Sequence, residues 1–200
     1  MRYVLLVIMA LVAIPAAARE AVNPSAFNPT SVPTRHYRLD PDHASVVARV
    51  RYMGLLQYTM RFSRIDGRCD IDPANPAASR LSVAVDARSF DDAGDTAARQ
   101  AASEILDADR YPSVTFNASA IRFGGAGRAA LTGELTLRGV TKPVTFEVTS
   151  TRADAPLESN RPLAYSATTV IRRSDFGSRS WPAMIGDKIQ LVIDARFIRE

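Results

Sequence analysis

His36, His43 and Cys69 are the only imidazole and thiol groups in this chain, so any chemistry that needs such a group must use them. Nucleophilic catalysis requires a nucleophile within hydrogen-bond reach of a base that a third group orients. Asp42-His43-Ala44-Ser45 brings a carboxylate, an imidazole and a hydroxyl together in sequence. Successive residues of an extended strand point to opposite faces, however, so these groups do not converge on one reacting atom. His43 is read as a structural residue bonded to a neighbouring turn, although a lipid isomerase or hydrolase would have it as its base. Two histidines without HxH or HExxH spacing supply no evident transition-metal site. Asp70-Ile71-Asp72 and Asp91-Asp92 lack a calcium-loop pattern and read as solvated turns. No catalytic residue, metal or cofactor is expected, and a single cysteine permits no internal disulfide, leaving Cys69 as a small buried residue.

The elements around these residues begin with an export signal. MRYVLLVIMALVAIPAAARE carries Arg2, an apolar run from Tyr3 to Ile14, and Ala16-Ala17-Ala18 as an A-x-A cleavage site. The run is shorter than the roughly 18 to 20 residues that span a bilayer, so residues 1–18 read as a cleaved signal peptide and the mature protein as periplasmic. Residues 19–34, rich in Pro, Asn, Ser and Thr, read as a flexible leader, and residues 35–200 as one domain. Removing Arg2 leaves 24 basic against 21 acidic residues. That mild excess is compatible with transient contact with an anionic membrane surface, but its arginines are scattered among acids and do not indicate nucleic acid.

From His36 onward the apolar residues alternate with period two, the pattern of strands with one buried face. Val46, Ala48, Val50 and Tyr52 share a face; so do Tyr58, Met60 and Phe62; Leu81, Val83 and Val85; Val114, Phe116 and Ala118. LTGELTLRGVTKPVTFEV aligns Leu131, Gly133, Leu135 and Leu137, turns, and then aligns Val144, Phe146 and Val148. Leu163, Tyr165, Ala167, Thr169 and Ile171 follow, then Ile189, Leu191, Ile193, Ala195 and Phe197. Pro143 fits only a strand start or edge. One segment differs: Thr96–Ala108, rich in Ala, Gln, Glu and Leu and stopped by Tyr111-Pro112, predicts a single helix that covers an opening or side of the sheet. About eight antiparallel strands and one helix suit a closed barrel, which at that strand number can hold one small ligand if its own side chains do not fill it.

YRLDPDHASVVARVRYMG, DADRYPSVTFNAS, the Leu131–Val148 stretch and RRSDFGSRSWPAMIGDKIQLVI occur in an order and spacing that resemble the YceI-like family of exported polyisoprenoid-binding proteins. The resemblance runs from Tyr37 to Phe197, nearly the whole mature chain. It implies a lipocalin-like antiparallel barrel whose apolar tunnel holds an isoprenoid or another long-chain amphiphilic lipid. The chain departs from that pattern at Tyr52, where many relatives carry a histidine, and over Thr96–Gln100 and Ile105–Asp109. The headgroup specificity of relatives is therefore not carried over.

The expected tunnel lining is Val50, Tyr52, Met60, Phe62, Val83, Val85, Phe116, Leu135, Phe146 and Tyr165. Phe176 and Trp181, in a Gly- and Pro-punctuated loop, complete the expected lining, with Trp181 a candidate to cap the tunnel mouth or the barrel bottom. The function expected is binding, transport or storage of a polyprenyl chain or isoprenoid quinone, without catalysis. The competing reading is an exported interaction module whose outward Arg49, Arg51 and Arg61 bind an acidic partner or a membrane surface. Both leave open whether the protein forms a homodimer.

Overall fold

The computed structural model describes residues 35–72, 75, 78–91, 96–124, 127–150 and 162–200. The signal peptide and leader read from the sequence lie outside the described residues. Ten strands form, β1 Arg35–Tyr52, β2 Leu56–Phe62, β3 Ile65–Ile71, β4 Arg80–Asp86, β5 Phe90–Asp91, β6 Ser113–Phe123, β7 Arg128–Leu137, β8 Val140–Ser150, β9 Leu163–Arg172 and β10 Ile185–Arg199, with helix α1 at Thr96–Leu106. Eight of them, in the order β1-β3-β4-β6-β7-β8-β9-β10, close into an antiparallel barrel through the β10–β1 pairing. This is the eight-stranded barrel with one helix that the alternation implied.

The segments around His36 and Val46 form one continuous strand with an irregularity between Leu39 and Ala44. Its first residues pair with β3 and its second half with β2, so β2 and β3 together act as one bent neighbour. β3 itself overturns a reading: Asp70 and Ile71 are not in a solvated turn but in this strand, and Asp91 lies in β5. β8 pairs with β9 only over Glu147–Ser150. Pro143 therefore lies where β8 is locally an edge and its missing N–H removes no bond to β9. Just beyond the ladder's end, the Thr169 hydroxyl donates to the Thr145 carbonyl.

The two ends of the barrel are made differently. At one end lie the β1–β2, β7–β8 and β9–β10 connections and the segment that carries α1. The β7–β8 turn has Arg138 and Gly139 at φ 54° and 71°, the pair of left-handed residues that a two-residue hairpin needs. A Cβ on Gly139 would stand 2.7 Å from the Tyr111 ring, so that turn is also clamped from outside. Helix α1 ends at Asp107, whose left-handed backbone terminates it ahead of Tyr111. The Arg138 guanidinium donates to the carbonyls of Glu104 and Ile105, matching a cation to the helix C-terminus. Ala102, Ile105 and Leu106 are buried in the core, which makes α1 the plug of this closed end.

Beside the plug, Arg173–Phe176 forms a single 3-10 turn that packs against β8, β9 and β10. Arg173 is only 3% exposed. Its guanidinium donates to the carbonyls of Ser178, Ile185 and Gly186 and to the Ser178 hydroxyl. Burial holds its pKa below the usual arginine value, and the carbonyl cage supplies the hydrogen bonds that water would otherwise give. Phe176, from the same turn, is 2% exposed and closes the core from below.

Candidate functional site

Toward the other end, the mouth, the inward residues shrink. Ala44 on β1, Cys69 on β3, Ala129 on β7, Ala167 on β9 and Ala195 on β10 stand where the closed end has Val50, Met60, Leu137 or Ile189. Interiors otherwise pack to crystal-like density, so a ring of small side chains leaves space. The space is an apolar cavity of about 150 Å³. Its remaining wall includes Leu39, Ile65, Ile71, Ile121, Leu131, Ile193 and Phe197. Phe123 also lines it while remaining 56% exposed, which places this ring at the rim.

Of the residues expected to line a tunnel, Val83, Phe116, Phe146 and Tyr165 surround this cavity. Phe116 and Phe146 meet edge to face, with ring centroids 4.9 Å apart. Gly133, on the strand between them, makes that contact possible: a Cβ there would come within 2.8 Å of the Phe116 ring and 2.3 Å of the Asn117 carbonyl oxygen. Val50, Met60, Phe62, Val85 and Leu135 are instead buried in the packed part of the core. Tyr52 is half-buried there against Tyr58, centroids 4.7 Å apart. Phe176 closes the bottom, and Trp181 lies on the surface near it, 42% exposed.

The wall residues Leu39, Ile65, Ile121 and Ile193 were not singled out from the sequence. Leu39 and Ile121 lie beyond irregularities in β1 and β6 that interrupt the period-two pattern, and Ile65 stands on β3, whose inward set is broken by Gly67 and Cys69.

Three polar side chains belong to this end. Burial pushes the Cys69 thiol up to about 12, with neighbouring Asp70 adding to the shift. Tyr165 is likewise raised to about 12, first by burial and then by Cys69 and Tyr37. Burial also raises Tyr37. All three are neutral near pH 7. The histidines lie outside: His36 Nδ1 is 2.6 Å from Asp70 Oδ1 in an exposed pair, and the exposed His43 has Nδ1 3.0 Å from Oδ2 of the half-buried Asp40. Arg49, Arg51 and Arg61 occupy the outer face of β1 and β2, with Arg61 directly opposite Asp91.

A family model described as "YceI-like domain" matches residues 37–197. The chain belongs to the YceI-like family. A UPF0312 protein of Vibrio cholerae is 33% identical over 138 residues, covering 68% of this chain and 72% of its own. Among solved structures, BcnA of Burkholderia cenocepacia superimposes with a TM-score of 0.68 at 25% identity, over 79% of this chain and 98% of its own. A polyisoprenoid binding domain from Saccharophagus degradans, implicated in plant cell wall breakdown, shares the fold at 13% identity and a TM-score of 0.62, over 82% and 98% of the two chains. The family match thus runs from β1 into β10, and the apolar cavity among the described residues lies toward the mouth.

Proposed function

We propose that this protein binds an isoprenoid-like lipid, a polyprenyl chain or an isoprenoid quinone, by taking one end of it into the mouth-end cavity. The observation that carries this reading is the cavity itself: its wall is almost wholly apolar and it lies at the end of the barrel opposite the helical plug. A dry apolar cavity of that volume accepts a group about the size of benzene, which is about one prenyl unit. Burying that unit's five carbons is worth on the order of 4 kcal/mol at about 0.8 kcal/mol per methylene. Further units of a longer chain continue past Phe123, whose exposed ring extends the apolar surface at the rim. The fold shared with a polyisoprenoid binding domain agrees with such a cargo.

In this reading the protein is a carrier or store with no catalytic step, exported to the periplasm by the segment Met1–Ala18. The outer-face alternative has weaker support, because Arg61 stands opposite an acid and the intended basic stripe is interrupted. Native mass spectrometry of mature protein purified without detergent, followed by extraction of any released lipid, tests the proposal. A stoichiometric isoprenoid is the expected result. Protein that is empty and takes up no added prenyl lipid overturns it.

A further inference from the structure

Six large apolar side chains are exposed among the described residues, and four of them, Met53, Leu55, Leu56 and Trp181, stand on or beside two adjoining turns at the closed end. The first turn joins β1 to β2: the Tyr52 carbonyl accepts from the Leu55 amide, with Met53 and Gly54 between them at φ 50° and 73°. The second, residues 181–184, precedes β10, and the Met184 and Ile185 amides donate to the Trp181 carbonyl. The Met53 amide in turn donates to the Met184 carbonyl at 2.6 Å, and Tyr52 pairs with Ile185, so the two turns form one platform. Leu55 at its tip is 92% exposed, and Met53 and Leu56 are each 60% exposed.

These side chains are placed at a cost to the backbone. A two-residue turn with both φ angles positive is ordinarily Asn-Gly, Asp-Gly or Gly-Gly, because a bulky side chain in the left-handed region is strained. Met53 takes that strained position, and so does Trp181 at φ 55°. The other two left-handed residues that are not glycine, Asp107 and Arg138, face each other's charge at 3.6 Å, whereas Met53 and Trp181 hold their side chains toward solvent. Single exposed apolar residues are ordinary, but four on one platform are a patch of the kind that marks a contact surface. The charges around it are mostly of one sign. Residues 49–62 and 177–186 contain no acid and carry Arg49, Arg51, Arg61 and Arg179. Arg61 stands opposite Asp91, but Arg51 and Arg179 are exposed and neither is in an ion pair with another described residue. Of the acids flanking the second turn, Asp187 is engaged by Arg172 and the Ser174 amide, which leaves Asp175 exposed. An apolar tip that carries an indole, with guanidinium groups beside it, matches the boundary of an anionic bilayer in both polarity and charge.

We propose that the β1–β2 turn and the 181–184 turn form a docking site for an anionic phospholipid surface. Met53, Leu55 and Leu56 enter the acyl region, Trp181 sits at the level of the headgroups, and Arg51 and Arg179 meet their phosphates. Docked in this way, the barrel turns its mouth, at the opposite end, away from the bilayer. The site is separate from the cavity, so the inference does not depend on what the cavity holds.

The test uses mature protein and two kinds of vesicle, phosphatidylcholine alone and phosphatidylcholine with an equal part of phosphatidylglycerol. Trp181 is the chain's only tryptophan, so its emission reports on the platform directly. Co-sedimentation with the anionic vesicles and a blue shift of that emission are expected. Binding to phosphatidylcholine alone should be roughly tenfold weaker, the range that two arginines near an anionic surface supply. Leu55→Ser combined with Leu56→Ser removes side chains that the fold leaves in solvent, so the melting temperature should hold while vesicle binding falls about tenfold or more. Arg51→Gln combined with Arg179→Gln should remove the preference for phosphatidylglycerol. Uptake of a prenyl lipid from solution should be unchanged in both variants, which separates loss of docking from damage to the cavity. The docking site is overturned if anionic vesicles leave the emission unshifted, if both kinds of vesicle bind alike, or if the leucine variant binds as wild type does. It is overturned equally if the protein sediments as a dimer that the leucine variant dissociates, because the patch is then the face between two copies.

Discussion

The closed end and the mouth end of this barrel share most of their strands but differ in what fills them. At the closed end Met60, Phe62, Leu135, Leu137, Phe176 and the helix residues Ile105 and Leu106 belong to one buried cluster, and the polar Arg173 beside them makes four hydrogen bonds. At the mouth end the inward positions hold Ala44, Ala129, Ala167 and Ala195, and an apolar cavity of about 150 Å³ is left between them. One end is built for stability and the other gives up packing to leave room. If the comparison is right, similar substitutions will have opposite consequences at the two ends.

The largest effect is expected at Arg173. Replacing it with alanine leaves the carbonyls of Ser178, Ile185 and Gly186 without their donor inside the closed end. Leaving a buried acceptor without its donor costs about 1 to 3 kcal/mol for each group. Urea denaturation of Arg173→Ala should report a loss of that order. Loss of less than about 1 kcal/mol would mean that the carbonyl cage is not what holds the 3-10 turn against β10.

Alanine enlarged to leucine gives the sharper contrast. Ala48 is 5% exposed and packed among core residues, so Ala48→Leu overfills the site and should cost about 1 to 3 kcal/mol. Ala167 lines the cavity, so Ala167→Leu fills empty space and should raise stability by about 1 kcal/mol while abolishing uptake of a prenyl lipid. Paired melting curves and lipid-binding assays check both. If both variants lose stability equally, the mouth end is as full as the closed end.

How far the sequence foretold this division depends on what alternation can carry. Period-two patterning specifies which residues face inward, and it put Val83, Phe116, Phe146 and Tyr165, which lie at the cavity, on inward faces. It says nothing about depth along the strand, so it grouped those four with Val50, Met60, Phe62 and Leu135, which face the same interior at its packed end. Strand β3 escaped because its inward set is Ile65, Gly67, Cys69 and Ile71: two of the four are small, and Asp and Arg stand between them. Gly67 is accommodated closely, with a Cβ there meeting the Ser82 carbonyl and Val83 at 3.3 Å. The small residues that hid this strand from pattern reading also line the mouth half of the barrel.

Two titratable groups of the cavity wall, Cys69 and Tyr165, add a smaller, pH-dependent difference. Cys69 and Tyr165 hold their protons more tightly in the folded protein, with Cys69 raised from 9.0 to about 12. Their contribution is fully present below the unfolded pKa values and is lost as pH rises toward the folded ones. Stability should therefore be insensitive to these groups up to about pH 9 and fall by on the order of 1 kcal/mol by pH 10. Cys69→Ala should flatten part of that decline. An unchanged slope in the variant would show that the thiol is not buried at the mouth.

Trp181 should show the smallest effect and marks where the closed end's packing stops. Only five residues beyond the buried Phe176, it is 42% exposed. Its carbonyl accepts from the amides of Met184 and Ile185, so the turn is held by backbone bonds, not by the indole. Its φ of 55° is a left-handed conformation that glycine adopts without the Cβ penalty. Trp181→Gly exchanges modest packing for relief of that penalty, and the two should cancel to within about 0.5 kcal/mol. Thermal unfolding should leave the melting temperature nearly unchanged and lipid uptake intact. A large loss of stability would mean that the indole belongs to the plug, and a loss of uptake alone would tie this end of the barrel to the cavity at the other.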